Sequence, residues 1–183
     1  MLLITDVCYD EQNNSAHIGG ITFSDWTSDD VIDKFEIDKI GIDAEYIPGE
    51  FYKREMPCLI KLWNSIPEDV KKNISTVIVD GFYDIWDGRP GMGHHFKDWL
   101  DENGYSNIEV VGIAKTKCRE TNKFTLPVYR TEESKESKWR GAIWVNGSNK
   151  NEDYVKRVMS MAGKFRIPSI VKKVDHVSRK LNY

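Results

Sequence analysis

The stretch Thr76-Val77-Ile78-Val79-Asp80-Gly81 constrains this chain more than any other. Four β-prone residues run without interruption into a carboxylate and a glycine. That is the pattern of a buried strand delivering one acid at its C-terminal end. In an open α/β sheet, ligands collect outside that edge. An aspartate before a glycine also caps ordinary turns, so its meaning depends on what other elements bring to the same rim.

Residues 2–9 and 16–23 read as strands joined by the polar turn Asp10-Glu11-Gln12-Asn13-Asn14-Ser15, an antiparallel hairpin. Residues 31–37 are the expected third strand. A helix over 50–63 follows, with Phe51, Glu55, Leu59 and Leu62 at turn spacing. Pro57 inside it predicts either a late start or a kink. Beyond the polar segment at Pro67-Glu68 and the central strand, residues 93–103 read as a helix stopped by Gly104. Residues 109–114 form the next strand, which ends at Lys115. The span 116–141 is irregular, and its charged run from Arg130 to Arg140 reads as a solvated loop or hairpin. A short strand over 142–145, an amphipathic helix over 151–162 and a basic helix over 169–181 complete the chain. Short turns force the opening strands to pair antiparallel. The predicted fold class is α/β: a ribonuclease H-like mixed sheet, an antiparallel hairpin meander plus parallel strands, flanked by helices in a single domain over 1–183.

With 40% hydrophobic and 30% charged residues, a chain of 183 can bury a real core. It has no apolar run near the roughly 18 residues of a membrane helix and no signal-peptide pattern at its start. Cys8, Cys58 and Cys118 are scattered, with no C-x-x-C pair, which argues for a reduced compartment and against a cysteine-rich zinc site. A cytoplasmic monomer is expected. The net charge of -3 hides an asymmetry. Residues 1–60 hold thirteen Asp/Glu against four Lys/Arg, a net of -9; the remainder holds 22 Lys/Arg against 16 Asp/Glu, a net of +6. Acids that hold cations, set against bases that meet phosphates, permit a nucleic-acid partner without requiring one.

Asp6 lies among Leu3, Ile4, Val7 and Cys8, where a carboxylate is costly unless it is paired or bound to a cation. Asp80 ends the strand that would lie beside it, and Glu55 belongs to the intervening helix. Three acids from three elements suit Mg²⁺, which takes a few carboxylates plus waters and phosphate oxygens. Two such ions about 4 Å apart would serve phosphodiester cleavage. The plainer alternative has Asp6 in a salt bridge and Glu55 on a solvated helix face.

Six blocks in order add to this. Ile4-Thr5-Asp6-Val7-Cys8-Tyr9, Tyr46-Ile47-Pro48-Gly49, Lys53-Arg54-Glu55-Met56-Pro57, Val79-Asp80-Gly81 with Gly91-Met92-Gly93-His94-His95, Val111-Gly112-Ile113-Ala114-Lys115 and Phe165-Arg166-Ile167-Pro168 together resemble the signature of the endonuclease V family. The resemblance spans Ile4 to about His176. It implies an endonuclease that depends on Mg²⁺, or Mn²⁺, and cuts DNA or RNA on the 3′ side of a deaminated base, above all hypoxanthine (inosine). By that resemblance Asp6, Glu55 and Asp80 hold the metal, and Lys115 stabilises charge at the scissile phosphate. Asp175 or its neighbour His176 completes the site. Tyr46, Ile47 and Pro48 form a wedge, while Gly49, Gly81 and Gly112 let the backbone approach the flipped base. His95 contacts phosphate or supports the metal. Trp86-Asp87-Gly88 and Gly147-Ser148-Asn149 depart from the family pattern on substrate-facing stretches. Two alternatives therefore stay open: a weak or inactive nucleic-acid-binding relative, and a ribonuclease H-like nuclease of other specificity.

Overall fold

A computed structural model describes residues 1–41, 50–85, 89–117, 125–137 and 141–180. The hairpin forms as its sequence requires, with β1 (Leu2–Asp10) antiparallel to β2 (Ser15–Phe23). Next along the chain are β3 (Lys34–Gly41), α1 (Tyr52–Ser65), the single-turn α2 (Glu68–Lys71), β4 (Thr76–Asp80), α3 (Met92–Glu102) and β5 (Glu109–Ala114). Then come β6 (Leu126–Val128), α4 (Glu132–Glu136), β7 (Ile143–Gly147), α5 (Asn151–Ser160) and α6 (Ser169–Ser178). One seven-stranded sheet has the order β3-β2-β1-β4-β5-β7-β6. Its β1–β4 and β4–β5 pairs are parallel and the others antiparallel. This is the α/β, ribonuclease H-like arrangement.

Strand alternation builds two cores. Leu3, Val77, Val79 and Val110 pack with α1 and α3 residues such as Leu59, Leu62, Trp63 and Phe96. Leu2, Ile4, Ile78, Val111 and Ile113 face the other way, onto Tyr154, Val158, Val171, Val174 and Val177 of α5 and α6. Two glycines of β2 let helices approach closely from opposite sides. A β-carbon at Gly20 would lie 2.7 Å from Leu62 of α1, and one at Gly19 would lie 2.6 Å from Val177 Cγ1 and 2.8 Å from the backbone nitrogen of Ser178 in α6.

Three expectations need correction. The third strand starts at Lys34, not at residue 31, because Thr22 ties the approach down first: Asp33 N–H donates to its hydroxyl, which donates back to the Asp33 carboxylate, both at 3.0 Å. The charged run after Arg130 is not simply loop or hairpin. Thr131 and Ser134 cap each other's backbone N–H, each at 3.0 Å, and nucleate α4. Of the two outcomes expected at Pro57, the late start does not occur: α1 begins at Tyr52 and continues through the proline to Ser65.

Candidate active site

The pleat that sorts the core also aims three polar side chains. Asp6, Asp80 and Lys115 each stand two residues beyond an apolar residue of the α6-facing core, namely Ile4, Ile78 and Ile113. They therefore continue that face at the carboxyl ends of β4 and β5, where Asp80 is the last residue of its strand and Lys115 follows the last of its own, and alongside them Asp6 at the middle of the longer β1. Register brings them side by side. Thr5 pairs with Val79 and Asp80 with Ile113, so Asp6 and Lys115 flank Asp80. The Lys115 ammonium lies 2.9 Å from Asp80 Oδ2, 3.5 Å from Asp6 Oδ1 and 3.3 Å from Asp175 Oδ1.

Helix α6 closes the cluster from above the sheet. Gly19 is the β2 partner of Asp6, and its missing side chain admits α6 where Ser178 can reach the acid. The Ser178 hydroxyl bonds to Asp6 Oδ2 and contacts the carbonyl of Asp175 at 2.9 Å. One turn earlier, Asp175 meets Lys115 and also accepts from Arg179 Nε at 3.1 Å. Of the two late candidates, Asp175 is the one that pairs with the lysine. His176, half-buried, is next along the helix.

Glu55 comes from α1, the helix on the opposite face, and is only 5% exposed. Burial raises its pKa well above the usual carboxylate range, and the negative charges of Asp80 and Asp6 add to that. Its neighbour Arg54 spans from Glu11, at 2.9 Å, to the face of the Tyr9 ring, 4.5 Å from its centroid. Asp6, also 5% exposed, is pushed up to about 7 by burial and by Asp80, against the pull of Ser178 and Lys115. Burial alone would lower Lys115, but the surrounding carboxylates overcome it and raise the ammonium's pKa. For Asp175 burial acts upward, and the Lys115 and Arg179 cations hold it below its ordinary value.

Among the described residues, no three His, Cys, Asp or Glu side chains are already disposed to hold one metal ion. The ammonium of Lys115 is instead the cation that the acids share. The donors nonetheless suit a hard divalent ion. They are carboxylate oxygens that burial and mutual repulsion destabilise as anions, and a second positive charge would relieve both effects.

The other predicted residues divide. Gly81 adopts φ +140° immediately after Asp80, a conformation that favours glycine. Gly112 is occupied by the protein's own backbone: a β-carbon there would lie 2.5 Å from Tyr83 N and 2.6 Å from Gly81 O. His95 stacks on Tyr52 of α1, with centroids 3.7 Å apart. Tyr46, Ile47, Pro48 and Gly49 lie outside the described residues. Sequence reasoning missed Ser178, Gly19 and Asn146. Buried Asn146 fastens the segment after Asp80, accepting from Tyr83 N–H at 2.7 Å and donating to Asp84 O at 2.8 Å. A Gly-Gly pair inside a strand was the one available signal.

No family model matches the sequence, and no curated protein matches it significantly. Solved structures do. Human endonuclease V has a TM-score of 0.75 at 18% identity, over 98% of this chain and 82% of that one. Endonuclease V of Ciona intestinalis, crystallised with a DNA containing an inosine followed by a ribo-adenosine, gives 0.73 at 19%, over 98% and 84%. The chain has the endonuclease V fold. The enzyme from Streptomyces avermitilis gives 0.72 at 16% identity, over 98% and 79%. This fold carries the acid–lysine cluster on its three central strands, at the carboxyl ends of β4 and β5 and beside them on β1. No helix among the described residues is long and apolar enough to cross a membrane.

Proposed function

We propose that the protein is a metal-dependent endonuclease, acting as a cytoplasmic monomer, that hydrolyses a phosphodiester bond on the 3′ side of a deaminated base such as hypoxanthine in DNA or RNA. The observation that carries this reading is the convergence of Asp6, Asp80 and Asp175 on Lys115, with Glu55 in electrostatic range. Acids held at such cost to their ionisation suit a site that works with a cation. Asp6, Glu55 and Asp80 would hold Mg²⁺ or Mn²⁺. When bound, such an ion supplies Lewis acidity toward the phosphate and the attacking water.

The chain's own groups do the rest. Lys115, held by Asp80 and Asp175, is positioned to turn its ammonium to the charge that develops on the phosphoryl oxygens. Arg179 and Ser178 keep Asp175 and Asp6 from drifting. The inosine preference rests on the block resemblance and on the Ciona relative's bound DNA.

The test incubates labelled single- and double-stranded DNA and RNA, with and without inosine, in Mg²⁺ or chelator. Cleavage one nucleotide beyond the inosine, only with metal, is the expected result. Asp80→Asn should abolish it while strand binding persists. Equal cutting by parent and variant would sink the assigned roles.

A further inference from the structure

Beside the acid–lysine cluster is a second feature that the cluster does not use. An open groove of about 690 Å³ runs between α4 and the loop leading into α6. Lys164, Phe165, Arg166 and Lys172 line one side of it, and Glu132 and Glu133 the other. Arg54, Arg157 and Arg179 are each held by a carboxylate. The three groove cations make no ion pair among the described residues. Glu132, by contrast, is already neutralised by Lys135 at 2.6 Å. Glu133 faces the cations without an ion pair among the described residues, so three cations against one free carboxylate leave the groove net positive.

It also carries an apolar ring in water. Phe165 is 67% exposed, and the Lys172 ammonium lies 4.2 Å from its centroid. The exposure is built rather than frayed. The Arg130 guanidinium donates to the carbonyls of Phe165 at 2.9 Å, Gly163 at 3.1 Å and Ala162 at 3.3 Å, and to that of Met161. Gly163 turns the loop at φ +104°. The groove adjoins the site through Arg166, whose Nη1 donates to the backbone carbonyl of Lys115 at 2.8 Å.

We propose that this groove takes an unpaired stretch of a nucleic-acid strand, with one base stacked on Phe165 and adjacent phosphates against Lys164 and Lys172. The proposal deepens the nuclease reading and rests on it for the choice of strand. The Lys172 ammonium covers one face of the ring, which leaves the other for a flat base, while Lys164 and Lys172 meet its phosphates. An acidic peptide would answer the charges and leave the ring unmet.

Fluorescence anisotropy with a labelled oligonucleotide of about twelve thymidines, lacking inosine and held in chelator, tests this apart from cleavage. The parent should bind at low salt. Phe165→Ala should weaken binding about tenfold, Phe165→Leu should do the same, and Phe165→Tyr should stay within about twofold. The Lys164→Ala/Lys172→Ala pair should flatten the dependence of log affinity on log salt by about 1.4. The ring is exposed, so these variants leave the core intact. The proposal is overturned if the parent does not bind, if the alanine or leucine variant matches the parent, or if polyglutamate competes as well as unlabelled oligonucleotide. A parent that fails to cut inosine substrates yet gives the expected binding series would overturn the nuclease reading and leave the groove standing.

Discussion

Replacing Asp6 by Asn should make the metal-free protein more stable and inactive at once. The Asp6 carboxyl sits at about 7 in the fold against 3.8 as a free group, because burial and Asp80 oppose its charge. Between those values the folded chain keeps a proton that the unfolded chain has released. Parent stability therefore falls as pH rises through that window and levels off above it. At about 1.36 kcal/mol per pH unit, ionising Asp6 costs the fold about 4 kcal/mol at pH 8 and under about 2 kcal/mol at pH 5. Asparagine carries no charge, yet its oxygen can still accept from Ser178 and its amide can donate to Asp80. For a chain of this size, 1 kcal/mol moves the melting temperature by about 2–4 °C. Allowing for relaxation around the site, Asp6→Asn should melt at least about 5 °C above the parent at pH 8 in chelator, and the gap should shrink toward pH 5. Differential scanning fluorimetry across pH reads this directly. If the variant melts below the parent at pH 8 in chelator, Asp6 is a structural ion-pair partner of Lys115, and the account of a destabilised acid is wrong.

Lys115→Ala should lower inosine-dependent cleavage by roughly 10²–10³ with strand affinity little changed; gel assays against anisotropy separate the two, and equal rates would remove the lysine from the chemistry. It should also lower the metal-free melting temperature at pH 8, since three carboxylates lose their shared cation. Gly19→Ala puts a methyl 2.6 Å from Val177 Cγ1. The resulting shift of α6 should cost about 1–3 kcal/mol in urea unfolding, with a larger proportional loss of cleavage, because Ser178 and Asp175 ride on that helix. An Ala variant that cuts like the parent would mean the approach of α6 is not what sets the site.

The parts of this fold that were legible are those where one residue type decides the matter locally. Apolar β-branched runs marked β1, β2, β4 and β5, and Asp6 within β1, Asp80 at the end of β4 and Lys115 just beyond β5 could be read as the next step of each strand's alternation. The illegible parts depend on side chains answering the backbone across a gap. Thr22 delays β3 through Asp33, and a Thr131–Ser134 box makes a helix inside a charged run. β6 carries Pro127, which only an edge strand tolerates, and its position beyond β7 provides that edge.

Ser178 shows why a site is harder to read than a strand. Nothing in its neighbourhood marks it, and it matters because Gly19, 159 positions earlier, lacks a side chain and faces Asp6. The same close approach of α6 orders the chemistry. The sheet edge sets where Asp6, Asp80 and Lys115 can be, whereas α6 decides how tightly they are held. A change that keeps Asp6, Asp80, Lys115 and Asp175 in the chain but lifts this helix, and Asp175 with it, should therefore silence the site as surely as losing an acid. That makes the spacing between β2 and α6, rather than the inventory of charged residues, the quantity that separates a working member of this fold from a scaffold.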